Sequence, residues 1–319
     1  YLRVSVTDRC DFRCTYCMAE NMTFLPKKDL LTLEELDRLC SAFISKGVRK
    51  LRLTGGEPLL RADVPELVRI LKQELGVKDV ALTTNGWLLE KLAPALRAAG
   101  LDRLNVSVDA LDDTTAGKLN GLGFSVERVL RGIDAAAALG FPIKINTVLM
   151  PGVNDDEAVG LLKWALDEGL KLRFIEQMPL DAGGVWDRST MVTADDVFHA
   201  LNPVFSLTAV EARGSAPAEE FLVNGGPETV GIIASVTRPF CGSCDRLRLT
   251  SDGQLRSCLF ATKEMDLRSV LRESDDSDEA KRAEISLRFG KTVLSKLPGH
   301  GINDPSFIQP ARPMSAIGG

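Results

Sequence analysis

The sequence predicts an α/β fold built around a parallel β-sheet, and three observations support this prediction. Short runs rich in Val, Ile, Leu and Thr alternate six times with helical stretches between residues 2 and 178. Parallel strands need crossover connections, which helices supply. Polar and glycine-rich residues follow the strands, at the edge where parallel sheets bind ligands. The alternation fits either an open doubly wound sheet or a complete or partial barrel.

The six predicted strands are residues 2–8, 50–56, 79–86, 103–110, 143–150 and 170–178. Three of the helices between them have clear signals. Thr32 and Glu35 have the spacing of a capping box, which predicts a helix that begins after Thr32. A second helix is predicted over 63–75. A third is predicted over 154–169, with Asn154 as its N-cap.

The alternation weakens after about residue 200. Residues 247–256 are typical of a β-hairpin, with an Asp-Gly turn at 252–253. Such a hairpin would bring Cys258 back towards Cys241 and Cys244. We therefore expect the C-terminal part of the chain to gather three cysteines in one place.

Composition excludes several classes of protein. The chain has 319 residues, of which 45% are apolar and 26% are charged, as in ordinary globular proteins. The net charge of −5 predicts no binding to nucleic acid or to an anionic membrane. No apolar run approaches the roughly 18 residues of a membrane span. Because Tyr1 already lies at the start of a predicted strand, we expect the natural protein to contain residues before it.

The cysteines carry the clearest chemical signal. Six of the seven form two triplets, Cys10, Cys14 and Cys17 near the beginning of the chain and Cys241, Cys244 and Cys258 near its end. An odd count does not suit a secreted disulfide framework, so we expect a cytoplasmic protein. Cys40 stands alone in the first helix, where we expect a buried thiol.

The size of each triplet favours an iron–sulfur cluster over zinc. A structural zinc site takes four ligands, so each triplet would have to borrow an Asp, a Glu or one of two histidines, or the triplets would have to pool. A [4Fe–4S] cluster held by three thiolates keeps one iron open for another ligand, and thiolates suit such clusters. The sequence therefore predicts two cluster sites.

Two motifs at successive strand ends resemble those of one enzyme superfamily. The C-x3-C-x2-C loop, with Tyr16 before its last cysteine, resembles the signature of the radical S-adenosylmethionine (SAM) enzymes. Residues 55–58, Gly-Gly-Glu-Pro, resemble the motif that holds the SAM amino group there. Taken alone, they would suit a tight strand-to-helix turn with proline in the first helical turn. The resemblance implies a partial (βα)6 barrel of the TIM type.

A narrower resemblance covers essentially the full length. The segments LRLTGGEPLLR, LNVSVDALD, FCGSCDRLRLTSDGQLRSCL and the final GG are similar to the GTP 3′,8-cyclase family of molybdenum-cofactor biosynthesis. This implies a barrel domain over 1–212. It also implies a C-terminal domain over 213–319, which carries the second cluster and the Gly-Gly tail and closes the mouth of the barrel.

The resemblance also implies the reaction. Two [4Fe–4S] clusters and SAM would be the cofactors, and GTP would be the substrate. Reductive cleavage of SAM would give a 5′-deoxyadenosyl radical, which removes the C3′ hydrogen of GTP. C3′ would then attack guanine C8, to give 3′,8-cyclo-7,8-dihydro-GTP. The first cysteine triplet would hold the SAM cluster, and the cluster of the second triplet would bind guanine.

The same resemblance assigns contacts. SAM would contact Tyr16, Gly56, Glu57, Ser107 and Met178. GTP would contact Arg3, Lys50, Arg52, Thr83, Lys144, Arg173, Arg246, Leu247 and Arg248. Gly318 and Gly319 would reach into the active site. Without the resemblance, each basic residue would be interpreted as a surface ion pair, Met178 as core packing and the glycines as a frayed end.

Partners and competing interpretations follow from the same comparison. A flavodoxin or ferredoxin would supply electrons, and cyclic pyranopterin monophosphate synthase would act on the product. The enzyme itself would be a homodimer. One departure from the family pattern is Asp11, where the family more often has Asn.

Two other functions remain open. One alternative is another radical SAM enzyme with an auxiliary cluster, acting on a peptide or other substrate. The other is a non-catalytic binding module held together by two metal sites.

Overall fold

The computed structural model describes residues 1–121, 123–181, 184, 186–211 and 213–319. Its strands are β1 (Leu2–Ser5), β2 (Lys50–Thr54), β3 (Asp79–Thr84), β4 (Arg103–Ser107), β5 (Ile143–Val148), β6 (Lys171–Ile175), β7 (Leu207–Ala209), β8 (Glu219–Val223), β9 (Thr229–Ile233), β10 (Leu247–Leu249), β11 (Gln254–Arg256) and β12 (Met265–Asp266). Its α-helices are α1 (Leu33–Ser45), α2 (Val64–Arg69), α3 (Leu89–Ala99), α4 (Asp113–Asn120), α5 (Val126–Ala138), α6 (Ala158–Asp167), α7 (Ala194–Leu201), α8 (Arg268–Arg272), α9 (Asp278–Leu294) and α10 (Met314–Ile317). No helix within these ranges is long and apolar enough to cross a membrane.

The strands form one sheet in the order β12-β11-β10-β1-β2-β3-β4-β5-β6-β9-β8-β7. The eight strands from β10 to β9 in this order run parallel to one another, and β11, β12, β8 and β7 continue the sheet at its two edges in antiparallel pairings. β1 to β6 lie side by side in chain order, without the reversal that a doubly wound sheet requires. This confirms the predicted α/β fold and favours the partial barrel.

Successive side chains of a strand point to opposite faces of the sheet, so alternate residues lie in two environments, the apolar core and the concave side. Leu2, Val4, Leu51 and Leu53 are fully buried in the main apolar core, which the surrounding helices complete. Residues on the opposite face, such as Arg3, line the concave side of the sheet. The fold therefore presents polar side chains inside the barrel while its apolar core lies outside it.

The predicted helix signals meet different outcomes. The capping box is confirmed, because Glu35 N–H donates to Thr32 Oγ1 (3.2 Å) and Thr32 N–H donates to the Glu35 carboxylate (2.8 Å). The second helix is α-helical only to Arg69 and continues as a π-helical turn over Ile70–Glu74. The prediction of Asn154 as a helix cap is wrong, since a 3-10 turn at Asp155–Glu157 precedes α6.

Asn154 instead ties two strand ends together. Its Nδ2 donates to Asp109 O (2.7 Å) and Val148 O (3.1 Å), and its Oδ1 accepts from Met150 N–H (2.6 Å). The side chain is fully buried, and a buried amide needs such partners. These bonds hold the loops after β4 and β5 against each other.

The C-terminal part of the chain extends the sheet at both edges. β9 joins β6, and β10 joins β1. The hairpin of β10 and β11 is confirmed, with Gly253 in the left-handed region (φ +84°) at its turn. α9 packs on α1 through stacked Phe43 and Phe289, whose ring centroids are 4.8 Å apart. The domain boundary between 212 and 213 stays a prediction, and Ala212 lies outside the described residues.

Candidate active site

A cavity of about 340 Å³ opens within the concave face of the sheet. Both cysteine triplets line it, although they come from opposite ends of the chain. Among the other predicted site residues, the wall contains Arg3, Tyr16, Arg52, Gly56, Glu57, Thr83, Ser107, Arg173, Met178, Arg246, Arg248 and Gly319. The fold therefore brings the two predicted cluster sites to one chamber.

The first cysteine loop is held by backbone hydrogen bonds. Arg13 N–H donates to Asn120 O and Thr15 N–H to Leu119 O, both at 3.0 Å, which fastens the loop to the end of α4. Within the loop, Cys17 N–H donates to Cys14 O at 2.9 Å. Its three thiols are half-buried and line the cavity.

Burial raises the pKa of all three thiols of this loop. The pKa of Cys17 rises to about 12, with the neighbouring Cys10 adding to the effect of burial. Glu57 adds to it at Cys10, and Asp109 adds to it at Cys14. Thiolates at this place therefore need a strongly positive partner, and coordinated metal provides one. The donor set fits a thiolate-bound cluster.

The Gly-Gly-Glu-Pro loop after β2 lies against the chain that leads into Cys10. Gly56 N–H donates to Thr7 O (2.8 Å), and Glu57 N–H donates to Arg9 O (2.7 Å). A Cβ atom on Gly56 would lie 2.3 Å from Arg9 O, so no other residue allows this approach. The first cysteine loop and the Gly-Gly-Glu-Pro loop, which are separate motifs in the sequence, therefore form one structural unit.

The Glu57 carboxylate is fully buried and joins β2 to β3. It accepts from Leu59 N–H (2.9 Å), Thr84 Oγ1–H (2.8 Å) and Asn85 N–H (2.7 Å). Burial raises the pKa of Glu57 to about 7, although these donors act to lower it. Asp11 lies nearby and accepts from the Asn85 side-chain amide (2.7 Å).

Tyr16 connects the cysteine loop to the ends of two strands. Its hydroxyl donates to Asp109 Oδ2 (2.6 Å), and Asp109 Oδ1 accepts from Val148 N–H (2.8 Å). Beside this pair, Phe12 stacks on Phe124 with ring centroids 4.5 Å apart. Both phenylalanines line the cavity, so aromatic rings shield this part of the chamber from water.

Five arginines line the cavity, namely Arg3, Arg52, Arg173, Arg246 and Arg248. Arg3 is half-buried and the other four are buried. None of the five forms an ion pair with a carboxylate in the part of the chain that the structure describes. Burial lowers the pKa of Arg3 to about 10 and that of Arg173 to about 9, and in both cases neighbouring Arg52 adds to the effect.

Buried guanidinium groups without anions are costly, because arginine keeps its charge in proteins. Arg173 Nη2 donates to the side-chain oxygens of Asn105 (3.1 Å) and Asn146 (2.6 Å), which are neutral. Its Nε and that of Arg3 are buried without an acceptor among the described residues. A Cβ on Gly231 would lie 2.8 Å from Arg173 Cγ, so glycine leaves room for this side chain. The chamber is prepared for an anion with several oxygen acceptors.

The second triplet lies in a different electrostatic environment. Burial would raise the pKa of Cys244, but the N–H and charge of Arg246 and the charge of Lys296 lower it overall. Lys296 Nζ donates to Arg246 O (2.9 Å) and Ser257 O (2.7 Å). Among the described residues, no three Cys, His, Asp or Glu side chains converge as ligands of a single metal ion.

The Gly-Gly segment reaches the same chamber. Gly318 has φ +87°, and a Cβ there would lie 2.9 Å from Ser5 Cβ. Gly318 O accepts from Arg248, and Gly319 O accepts from Thr54 Oγ1–H (2.8 Å). Both the backbone conformation and the space therefore require glycine at 318.

Three predicted GTP contacts lie outside the cavity wall. Lys50 is exposed at the first position of β2, Lys144 is half-buried on β5, and Leu247 packs into the main apolar core. Sequence reasoning also missed several residues of the wall, among them Lys296 and His300. The ring of His300 lies 4.6 Å from that of Phe260. No sequence motif marks either of these residues, since only the fold of the C-terminal segment brings them to the second triplet.

Comparisons with known proteins agree with this geometry. The profile of the Radical SAM superfamily matches residues 4–165, and the profile Molybdenum Cofactor Synthesis C matches residues 170–301. A protein of Streptomyces coelicolor named GTP 3′,8-cyclase is 53% identical over 100% of this chain and 93% of its own length. A protein of Mycobacterium bovis named GTP 3′,8-cyclase 2 is 48% identical over 100% of this chain and 89% of its own length.

A solved structure supports the fold. Streptococcus suis SuiB bound to S-adenosylmethionine has a TM-score of 0.57 and 13% identity, over 99% of this chain and 74% of that one. Such a likeness bears on the fold alone. The profiles and the full-length curated relatives lead to one conclusion: this chain belongs to the GTP 3′,8-cyclase family of the radical SAM superfamily.

Proposed function

We propose that this chain catalyses the radical SAM-dependent cyclisation of GTP to 3′,8-cyclo-7,8-dihydro-GTP in molybdenum-cofactor biosynthesis. One observation carries the proposal: five arginines that have no carboxylate partner among the described residues share one chamber with both cysteine triplets. GTP carries about four negative charges at neutral pH, to judge from the ionisation of phosphate groups. A chamber with this positive charge suits a nucleoside triphosphate. A neutral peptide substrate would not explain the five arginines.

The first triplet has the donor set for the cluster at which SAM is cleaved. With SAM bound, a [4Fe–4S] cluster there would supply the electron that cleaves SAM to methionine and a 5′-deoxyadenosyl radical, and that radical would remove the C3′ hydrogen of GTP. Cys10, Cys14 and Cys17 are the proposed cluster ligands. The proposed SAM contacts are Tyr16, Gly56, Glu57, Ser107 and Met178. Because a carbon radical reacts with water and side chains alike, the aromatic wall and the enclosing sheet serve to keep the target hydrogen in place and water out.

The second triplet is the proposed site of a second [4Fe–4S] cluster. Cys241, Cys244 and Cys258 line the same chamber, and the lowered pKa of Cys244 favours its thiolate form. Three protein ligands would keep one iron open, and we assign guanine to that position. This assignment makes the second site a substrate anchor, separate from the site of SAM cleavage.

The arginines are the proposed triphosphate ligands. Their planar groups bind phosphate oxygens in pairs, whereas lysine acts as a point charge. Arg3, Arg52 and Arg248 lie at matching positions on three neighbouring strands. Thr83 is a further proposed contact on the wall, and Lys50, Lys144 and Leu247 stay weaker assignments.

The remaining proposals concern the surroundings of the enzyme. A flavodoxin or ferredoxin would supply the electron, and cyclic pyranopterin monophosphate synthase would act on the product. We also propose a homodimer in the cytoplasm, with the barrel domain at 1–212 and the C-terminal domain at 213–319.

Anaerobic reconstitution tests the proposal. The protein is loaded with iron and sulfide, reduced with dithionite and given SAM with GTP. About eight irons per chain, 5′-deoxyadenosine and a cyclised GTP are expected, because two four-iron clusters would be present. SAM cleavage that depends on a peptide and ignores GTP would favour the other kind of radical SAM enzyme. A colourless protein that holds zinc would contradict both.

A further inference from the structure

Arg312 lies six residues before Gly318 and binds two carboxylates at once. Its Nη1 and Nη2 donate to Asp252 Oδ1 (3.2 Å) and Oδ2 (2.9 Å), and its Nη2 also donates to Glu264 Oε2 (2.9 Å). Arg312 Nε lies 2.8 Å from Glu264 Oε1. The Asp252 and Glu264 side chains are only 13% and 21% exposed. This geometry fixes the guanidinium group in direction as well as in place.

Glu264 also binds Arg256, which is only 2% exposed. The Arg256 Nη2 group donates to Leu259 O (3.3 Å) and to Ala261 O, the carbonyls that follow Cys258. The loop that carries the third cysteine of the second triplet is therefore folded around Arg256. Two positive and two negative side chains balance within this network.

The segment between Arg312 and Gly318 has little stability of its own. α10 has four residues, far fewer than an isolated helix needs. Met314 N–H donates to Leu180 O (2.8 Å), and Ile317, 1% exposed, packs in a small apolar cluster with Leu180, Val236 and Phe260. Beyond it, Gly318 O accepts from Arg248 at the cavity. The position of the glycines therefore depends on anchors on both sides of this short helix.

We propose that Arg312 is a positioning residue that, through Asp252 and Glu264, holds Gly318 and Gly319 at the cavity. Glu264 has a second partner in Arg256 and so links the Gly-Gly segment to the Cys258 loop. Ion pairs buried in this way add little net stability compared with apolar side chains. The role we assign to these pairs is to select one arrangement of the Gly-Gly segment. The proposal rests on the proposed function only in assigning the glycines to catalysis, and the anchoring itself can be measured without turnover.

The test compares Arg312→Gln with Glu264→Gln in the reconstituted holoenzyme. Hydrogen exchange at the amides of residues 314–318 is the readout independent of activity. In Arg312→Gln these amides should exchange about tenfold faster or more, as expected when charge-assisted hydrogen bonds are lost. Iron content and SAM affinity should stay within about twofold of wild type. Cyclised GTP per 5′-deoxyadenosine should fall about tenfold or more.

Glu264→Gln should show the same faster exchange and, in addition, a lower iron content, because Arg256, around which the Cys258 loop folds, loses its carboxylate partner. Arg312→Lys should recover part of the lost protection, since it keeps the charge but not the paired geometry. Arg69→Gln is the matched control, because Arg69 also binds two carboxylates, Glu66 and Glu74, and does not line the cavity.

Wild-type exchange at 314–318 in Arg312→Gln would overturn the proposal. So would equal loss of iron in Arg312→Gln and Glu264→Gln, because the two roles would then not separate. If wild-type protein fails to cyclise GTP, the proposed function fails, yet faster exchange in Arg312→Gln would still support the anchoring.

Discussion

Arg3 and Arg248 lie opposite each other on neighbouring parallel strands, although they come from the two ends of the chain. Arg52 occupies the matching position on the other side of Arg3. Each of the three side chains lines the cavity, and none has a carboxylate partner among the described residues. A row of positive charges across three strands is a binding surface for a phosphate chain.

Removing one charge from this row should weaken GTP binding. We expect Arg248→Gln to raise the Kd for GTP about 10- to 100-fold, the range for losing a charge-assisted hydrogen bond. Affinity for SAM should change little. Equilibrium binding of GTP to the reconstituted protein measures the effect, with Arg131→Gln, which removes an arginine charge from an exposed ion pair on the surface, as the control. Unchanged GTP affinity would contradict a triphosphate site at these arginines.

The two cysteine triplets should have separable roles. We expect Cys17→Ala to abolish SAM cleavage, and Cys258→Ala to impair GTP binding and cyclisation while some uncoupled SAM cleavage survives. Each variant should hold about four irons, half the content of two four-iron clusters. Cys40→Ala, at a buried thiol outside the cavity, should keep about eight. Iron analysis and 5′-deoxyadenosine assays decide this, and identical behaviour of the two variants would refute the division of labour.

Gly318 should not tolerate a side chain. Gly318→Ala forces a left-handed backbone that costs about 1–2 kcal/mol and places a Cβ 2.9 Å from Ser5 Cβ. We expect cyclisation to fall about tenfold or more as the segment leaves the cavity. Gly299→Ala is the control, because a Cβ there meets no atom within 4 Å. Equal activities of the two variants would show that the conformation at 318 is not needed.

The hydrogen bond between Tyr16 and Asp109 should contribute more to the free energy of unfolding at high pH than at low pH. Burial raises the pKa of Asp109 to about 6, although Tyr16 and Val148 act to lower it. The unfolded pKa is about 3.9. Because the folded pKa is higher, the protonated carboxyl group of Asp109 stabilises the fold. This contribution is complete below about pH 4 and is lost as the pH rises through about 6. Tyr16→Phe removes a donor to the carboxylate. We expect a loss of about 1–3 kcal/mol in unfolding free energy at pH 8 and a smaller loss at pH 5.

Denaturant unfolding of the apoprotein at the two pH values measures this difference. Phe43→Leu, a buried core change, serves as a control whose destabilisation should not depend on pH in this range. A Tyr16→Phe loss that is equal at pH 5 and pH 8 would indicate that Asp109 does not titrate between them.

The sequence by itself determined the parts that depend on local order. Alternation of strands and helices predicted the parallel sheet, because crossover helices leave a periodic signal. The spacing of Cys10, Cys14 and Cys17, followed by Gly-Gly-Glu-Pro, predicted the first site, since successive strand ends meet at one edge of a sheet. The capping box at Thr32 and the hairpin turn at Gly253 could also be predicted from the sequence, because both depend only on neighbouring residues.

Tertiary structure alone decided what joins distant segments. It brings both triplets to one cavity and places Arg248 beside Arg3. It also shows that Asn154, predicted to be a helix cap, instead bonds the ends of two strands. Lys296, His300 and the Arg312 network likewise carry no local signal. The physical reason is that local patterns report periodicity and turn geometry, whereas burial, charge pairing and clearance depend on which strands become neighbours after the chain has closed on itself.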